Sequence, residues 1–350
     1  MPSIGILGAN GQVGKEVCLL LNSRSDVSVI PICRSELSAA FLEACGLDCR
    51  IGKIDVADKA ENLLKDIDLL ADFSLPRGSQ SEIRRQLGSI LTNAITLSPP
   101  TGRFVYISSL MAMGTRDPQY GFSRRLLAKT AYGASKRVGE RIARRTTRRV
   151  GRELYILRLG QVHGAFQGVS LGIAQQLASY RSVSVPGVPS YVVFCLTIAD
   201  VLVNIAQGKE RPGTYSLVEN PPWTWKEVYD LYRRQTGSNC VVKEFAPMPR
   251  LRALNRAWHF LYGFIHRNRD VGSWYLGKFP RLERELRAQH YVDIAQAEIA
   301  ELLEQTNHRP FNVRNPCVGG RRLRGVNGDR ERIPPSMAIA INSAPIAEMF

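Results

Sequence analysis

Tyr132 and Lys136 stand four residues apart in Tyr132-Gly133-Ala134-Ser135-Lys136, a spacing that could serve proton exchange with an alcohol or ketone oxygen. The pattern predicts a helix running to about Arg149, which puts both side chains on one face, one turn apart. A nearby ammonium lowers a phenol's pKa and so helps it trade a proton. Taken alone, Tyr-x-x-x-Lys also describes an ordinary pair on a helix surface. The context lifts it: a strand, Phe104-Val105-Tyr106-Ile107, ends in Ser108-Ser109 just upstream. A hydroxyl at the carboxyl end of a parallel strand lies where doubly wound sheets bind ligands, and it can hydrogen-bond a reacting oxygen. Ser109, Tyr132 and Lys136 are therefore the candidate catalytic residues.

A second constellation lies at the start of the chain. Gly8-Ala9-Asn10-Gly11-Gln12-Val13-Gly14 follows a short apolar strand, Ser3 to Leu7, and opens a helical pattern from Val13 to Leu21. Glycines at this spacing allow a tight turn and a close approach of backbone to a pyrophosphate, whose charge the helix-start N–H groups receive. The context of strand, loop and helix makes dinucleotide binding the expected role of Gly8, Asn10, Gly11, Gln12, Val13 and Gly14. At the end of the second strand, an acidic residue would grip a ribose 2′-hydroxyl, but the chain has Cys33-Arg34-Ser35. Arg34 can instead take a 2′-phosphate; the alternative is a solvent-facing arginine. NADP(H) is the preferred cofactor on this ground, with NAD(H) second.

The elements that must position these residues alternate. Strands are expected at Val27 to Ile32, Leu47 to Ile54, Leu69 to Phe73, Phe104 to Ile107 and Leu154 to Leu159, with helical stretches between most of them. That rhythm indicates an α/β fold, a doubly wound parallel sheet of Rossmann type covered on both faces. Later, Val193 to Leu196 and Thr214 to Val218 read as strands, and Thr224 is a plausible N-cap three residues before Glu227. From about Cys240 the chain reads as mainly helical, basic and aromatic. At 350 residues there is room for two domains. The expected division is a dinucleotide-binding domain over 1–164 plus about 193–218, a smaller, mainly helical substrate domain over 165–192 plus about 219–315, and an irregular tail over 316–350.

The net charge of +16 gathers in Arg144 to Arg152, Pro249 to Arg287 and Arg321 to Arg332. No nucleic-acid motif accompanies it, so no nucleic-acid partner is expected. The aromatic run Ala257 to Ile265, followed by His266-Arg267-Asn268-Arg269, could lie in a membrane interface. A core-facing helix closing a substrate cleft is the favoured reading. Cysteines and histidines show no zinc-ligand spacing, so no metal is expected. Met1-Pro2-Ser3 runs into an apolar strand without a basic leader, which makes a cytoplasmic protein with reduced thiols the expectation.

The ordered motifs resemble the extended short-chain dehydrogenase/reductases, the group of sugar-nucleotide epimerases, dehydratases and reductases. The likeness rests on Gly8, Gly11 and Gly14; on Asp55-Val56 in Gly-Lys-Ile-Asp-Val-Ala-Asp; on Ser108-Ser109 to Gly114; on Tyr132 and Lys136; and on Leu157 to Gly164. Thr197-Ile-Ala-Asp200-Val and Gly213-Thr-Tyr-Ser-Leu continue it to about residue 235. The resemblance implies Tyr132 as acid/base and Lys136 as its electrostatic partner, also holding the nicotinamide ribose. It implies Ser109 as the orienting hydroxyl, Asp55 with its neighbour Val56 at the adenine, Phe73 and Ser74 beside the cofactor, and Gln161-Val162-His163 at the nicotinamide. For Ser108 a functional hydroxyl and one satisfied locally both stay open. A homodimer paired through the helices preceding and carrying Tyr132 and Lys136 is also implied.

Departures from the family pattern narrow the activity. Met113 replaces a usual tyrosine, Leu87 a proton-relay asparagine, Val193 a diphosphate-binding arginine, and Phe73-Ser74-Leu75 the usual small residues. The first expectation is therefore hydride transfer between NADP(H) and a secondary alcohol or ketone of a small-molecule substrate, a sugar or another anionic or lipid-linked metabolite. A sugar epimerase that reoxidises its own cofactor is the alternative. A dinucleotide-sensing protein without turnover is the third.

Overall fold

The computed structural model describes residues 1–76, 80–112, 131–187 and 190–245. Within them, strands and helices alternate as β1 (Ser3–Leu7), α1 (Gln12–Asn22), β2 (Ser28–Cys33), α2 (Glu36–Ala44), β3 (Arg50–Ile51), α3 (Ala57–Leu64), β4 (Leu69–Asp72), α4 (Gln80–Leu97) and β5 (Arg103–Ser109). A 3-10 turn, Leu110–Ala112, follows β5. The chain then runs through α5 (Ala131–Val150), β6 (Leu154–Leu159), β7 (Gln161–His163), α6 (Gly168–Ser179), β8 (Ser182–Pro186), β9 (Val192–Phe194), α7 (Cys195–Ala206), β10 (Gly213–Leu217), α8 (Trp225–Thr236) and β11 (Val241–Phe245).

Seven strands form one parallel sheet in the order β10-β6-β5-β4-β1-β2-β3. The order reverses between β1 and β4, and a crevice outside the carboxyl ends of the strands at that point is where such sheets bind ligands. Alternate residues feed two cores. Val105 and Ile107 pack with α1 and α7 residues, whereas Phe104 and Tyr106 pack with α3, α4 and α5 residues. This two-residue period puts both faces of the sheet under helices, so its strands are mainly apolar.

A third cluster joins α6 and α8 through Ile173, Leu177, Trp223, Val228, Leu231 and Tyr232. Beside it lie two small parallel pairs, β8 with β11 and β7 with β9. Glu16 ties the first helix to the start of this region: its buried carboxylate accepts from the N–H groups of Ala165 (2.8 Å) and Phe166 (3.1 Å) and from Gln167 Nε2 (2.9 Å). Thr224 caps α8 in a reciprocal box with Glu227, as its spacing predicts.

The structure departs from the sequence expectations in a few places. The strand expected from Val193 to Leu196 stops at Phe194, and Cys195 already begins α7. The stretch after Cys240 begins with a strand, not a helix, because Val241–Phe245 pairs with β8. That strand is mostly exposed and lacks an apolar face, so alternation could not reveal it. β3 is only two residues long. Met113, Gly114, the aromatic run from Ala257 and the tail lie outside the described residues.

Candidate active site and dinucleotide cleft

The glycine loop is built for close backbone approach. Gly8 has φ +78°, and a Cβ there would stand 2.8 Å from the Ser74 nitrogen. A Cβ at Gly14 would meet the Gly8 carbonyl at 2.5 Å. Both contacts are with backbone, which cannot swing aside as a side chain can. The loop closes with the Gly11 N–H donating to the Gly8 carbonyl at 2.9 Å, and α1 begins at Gln12.

A cavity of about 650 Å³ opens beside this loop. Gly8, Asn10, Gly11, Arg34, Asp55, Phe73 and Ser74 line it, together with Lys53, Ser38, Leu75 and, from α4, Gln86 and Ile90. A cradle that excludes any Cβ, facing a concave site of this size, fits a dinucleotide. Gln12, Val13, Gly14, Val56 and Val162 are not among its lining residues, nor are Ser109, Tyr132 and Lys136. Gln12 spends its carbonyl on Gln167 Nε2 (3.0 Å), Val13 packs against the core, and Val56 caps α3. Lys53, just past β3, gives the cavity a second cation besides Arg34, which sequence reasoning missed. Its signal was its place two residues before Asp55.

The catalytic candidates sit at the carboxyl end of β5 and the start of α5. Ser109 ends β5 and is nearly buried; Tyr132 is 40% exposed and Lys136 only 4%. Lys136 Nζ donates to the Ile107 carbonyl at 2.8 Å and lies 6.0 Å from the Tyr132 ring centroid. Burial pushes the Lys136 ammonium down to about 8, with the Asp72 carboxylate opposing. Burial also raises the Tyr132 phenol, and a hydrogen bond with Ser109 opposes the rise. The sequence led to a lowered phenol; the structure gives a raised one, because burial of the phenol outweighs its hydrogen bond with Ser109.

Ser108 resolves as a locally satisfied hydroxyl. It donates to Glu140 Oε1 at 2.7 Å, and Arg158 clasps the same carboxylate with Nε and Nη2 at 2.8 and 2.7 Å. Arg144 adds a longer contact at 3.3 Å. Burial works against the Glu140 charge, but Arg158 and Ser108 outweigh it and hold the carboxyl below its usual range. This bridge locks α5 to β5 and β6 one turn beyond Lys136. Glu140 was missed from sequence, although it lies four residues after Lys136 on the same helical face.

His163 is fully buried rather than lining the cavity. Its Nδ1 is 3.1 Å from Tyr232 Oη, and the ring packs against Phe194 and Tyr232. Burial pushes its pKa down to about 4. Between about pH 6.5 and 4 the unfolded chain binds a proton that the folded one refuses, so stability rises with pH across that window. His163 alone should remove about 3 kcal/mol from pH 7 to pH 4. Urea unfolding at pH 4.5 and 7.5 should show a smaller acid loss for His163→Gln than for the wild type. Equal losses would clear His163 of that role.

Among the described residues, no group of three or more His, Cys, Asp or Glu could hold a metal ion, and no helix is long and apolar enough to cross a membrane.

The model of the NAD dependent epimerase/dehydratase family matches residues 4–182. Among solved structures, the chain is similar to UDP-N-acetylglucosamine 4-epimerase from Bacillus cereus, at 17% identity over 70% of this chain and 86% of that one, with TM-score 0.54. It is also similar to UDP-glucuronic acid 4-epimerase from Bacillus cereus in complex with NAD (16%, 70% and 87%, TM-score 0.53). A third is dTDP-glucose 4,6-dehydratase from Bacillus anthracis in complex with NAD (14%, 71% and 86%, TM-score 0.53). At these identities the likeness is one of fold. No curated protein matches the chain. With its glycine cradle, its parallel sheet and a family match over half its length, the chain belongs to the NAD dependent epimerase/dehydratase family, enzymes of the extended short-chain dehydrogenase/reductase type that use a nicotinamide dinucleotide.

Proposed function

We propose that the chain is an NADP(H)-dependent reductase or dehydrogenase acting on a secondary alcohol or ketone. The observation that carries this reading is the meeting of Ser109, Tyr132 and Lys136 at the carboxyl end of β5. The dinucleotide, when bound, supplies or accepts the hydride. Ser109 orients the substrate oxygen by a hydrogen bond. In reduction the Tyr132 hydroxyl gives its proton to that oxygen, and the Lys136 ammonium stabilises the phenolate left behind. The Gly8–Gly11 backbone and the start of α1 receive the pyrophosphate. Arg34 and Lys53 supply two cations for a 2′-phosphate, and that pair supports NADP(H) over NAD(H).

An epimerase is the second reading, favoured by the family description itself. Against it, Val193 stands where sugar-nucleotide relatives carry a diphosphate-binding arginine, and its side chain is fully buried. In either reading a second copy of the chain pairs through α4 and α5, which pack on each other.

NADPH should raise the melting temperature more than NADH at equal concentration, because it binds the folded state more tightly. Arg34→Ala should abolish the difference. Equal shifts in the wild type would remove the NADP(H) preference. A panel of ketones should then consume NADPH mole for mole with product. Turnover without net consumption would mean an epimerase, and binding without any turnover a sensing protein.

A further inference from the structure

One buried charge near the site is left over when Ser109, Tyr132 and Lys136 have been assigned. Asp72 ends β4 and is fully buried. It is the strand partner of Tyr106 in the β4–β5 register. Leu70 and Phe104, two residues earlier on each strand, belong to the core under α4 and α5, so Asp72 and Tyr106 share the face against which α5 packs. Asp72 Oδ1 accepts from the Ser74 N–H at 2.8 Å, which pins the turn that abuts Gly8. Its Oδ2 has no hydrogen-bond partner among the described residues, and neither has Tyr106 Oη. Lys136 Nζ lies 5.4 Å from the Tyr106 ring centroid.

A buried carboxylate with one bare oxygen is costly and needs a compensating charge. Burial pushes Asp72 up, with the Ser74 bonds and the Lys136 charge opposing; the Lys136 ammonium is in turn helped by Asp72. Among the described residues, the other groups around Lys136 do not offer that charge. Tyr132 and Tyr106 are phenols held above their usual range by burial. Glu140 is clasped by Arg158 and Arg144. On α4, which packs along α5, Glu82, Arg84 and Arg85 are exposed to screening solvent.

We propose that Asp72 is a positioning residue for the Tyr132/Lys136 pair: its carboxylate, seated inside the fold at the end of β4, holds Lys136 in its ammonium form. The proposal rests on the role given to Lys136 above, and it names a group that touches neither substrate nor dinucleotide. Removing the Asp72 charge leaves burial unopposed, and Lys136 loses its proton at lower pH.

The test is a titration of the full chain carrying ¹³Cε-lysine, followed by NMR, with the Lys136 signal identified by its loss in Lys136→Met. The wild-type midpoint is expected near 8. In Asp72→Asn, which keeps the shape and drops the charge, the midpoint should fall by about one pH unit. Tyr106→Phe, which keeps the charge, should leave it in place. A wild-type midpoint in Asp72→Asn overturns the proposal, even if that variant is less stable, since a merely structural Asp72 would do just that. Should Asp72→Asn fail to fold, ¹³Cγ-aspartate labelling of the unmutated protein decides. One buried carboxyl signal should inflect at the Lys136 midpoint and lose that inflection in Lys136→Met; absence of such a signal overturns the proposal. These titrations need neither substrate nor cofactor, so a protein that consumes no NADPH would sink the reductase reading and leave this one standing.

Discussion

Tyr132→Phe is expected to bind NADPH as tightly as the wild type and to lose turnover by about 10²–10⁴-fold, the usual worth of a positioned proton donor. The single atom removed is the hydroxyl that hydrogen-bonds Ser109, and the ring that remains still fills its place at the start of α5. Steady-state rates on the best ketone of the panel, beside calorimetric titration with NADPH, separate the two effects. A Phe variant that turns over at the wild-type rate would remove Tyr132 as acid/base. The pH dependence follows from the same geometry. The Lys136 ammonium stabilises the phenolate, and that ammonium is lost as pH rises through about 8. Reductive turnover should therefore be sustained below pH 8 and fall above it. A rate that climbs through that region would mean that neutral Lys136 is the working form.

Gly14→Ala should abolish dinucleotide binding. The added Cβ would stand 2.5 Å from the Gly8 carbonyl and 3.2 Å from the Ala9 Cα, both backbone atoms. Relief requires α1 to move away from the loop, and the loop is held from its other side by Ser74. The shift withdraws the N–H groups that receive the pyrophosphate, each such charge-assisted bond contributing about 1.5–3 kcal/mol. Losing two of them lowers affinity by at least about 100-fold. The strain itself should cost about 1–3 kcal/mol of stability. Calorimetry should show no NADPH binding at concentrations that saturate the wild type, while circular dichroism shows a folded protein. Wild-type affinity in a folded Gly14→Ala protein would mean that the pyrophosphate does not lie on this loop.

Much of this was legible in one dimension because it depends on near neighbours along the chain. The Gly-x-x-Gly-x-x-Gly run between a strand and a helix, the four-residue offset of Tyr132 and Lys136, and the capping box at Thr224 are local patterns. So is the alternation that implied a parallel sheet. The short strand β11 left no such trace, since it is mostly exposed and carries no clear apolar face.

What the sequence by itself determined, then, was the fold class, and it named the candidates for the active site, because backbone periodicity and glycine chemistry act over a few residues. The tertiary structure alone decided the charges around those candidates. Ser108 meets Glu140 across 32 residues and Arg158 meets it across 18, which makes Ser108 part of the brace between α5, β5 and β6. Asp72 reaches the neighbourhood of Lys136 only through the β4–β5 register, and Lys53 joins Arg34 only because β3 lies beside β2. The direction of the Tyr132 shift belongs with these. Desolvation depends on everything packed around a group, and no spacing along a chain encodes it.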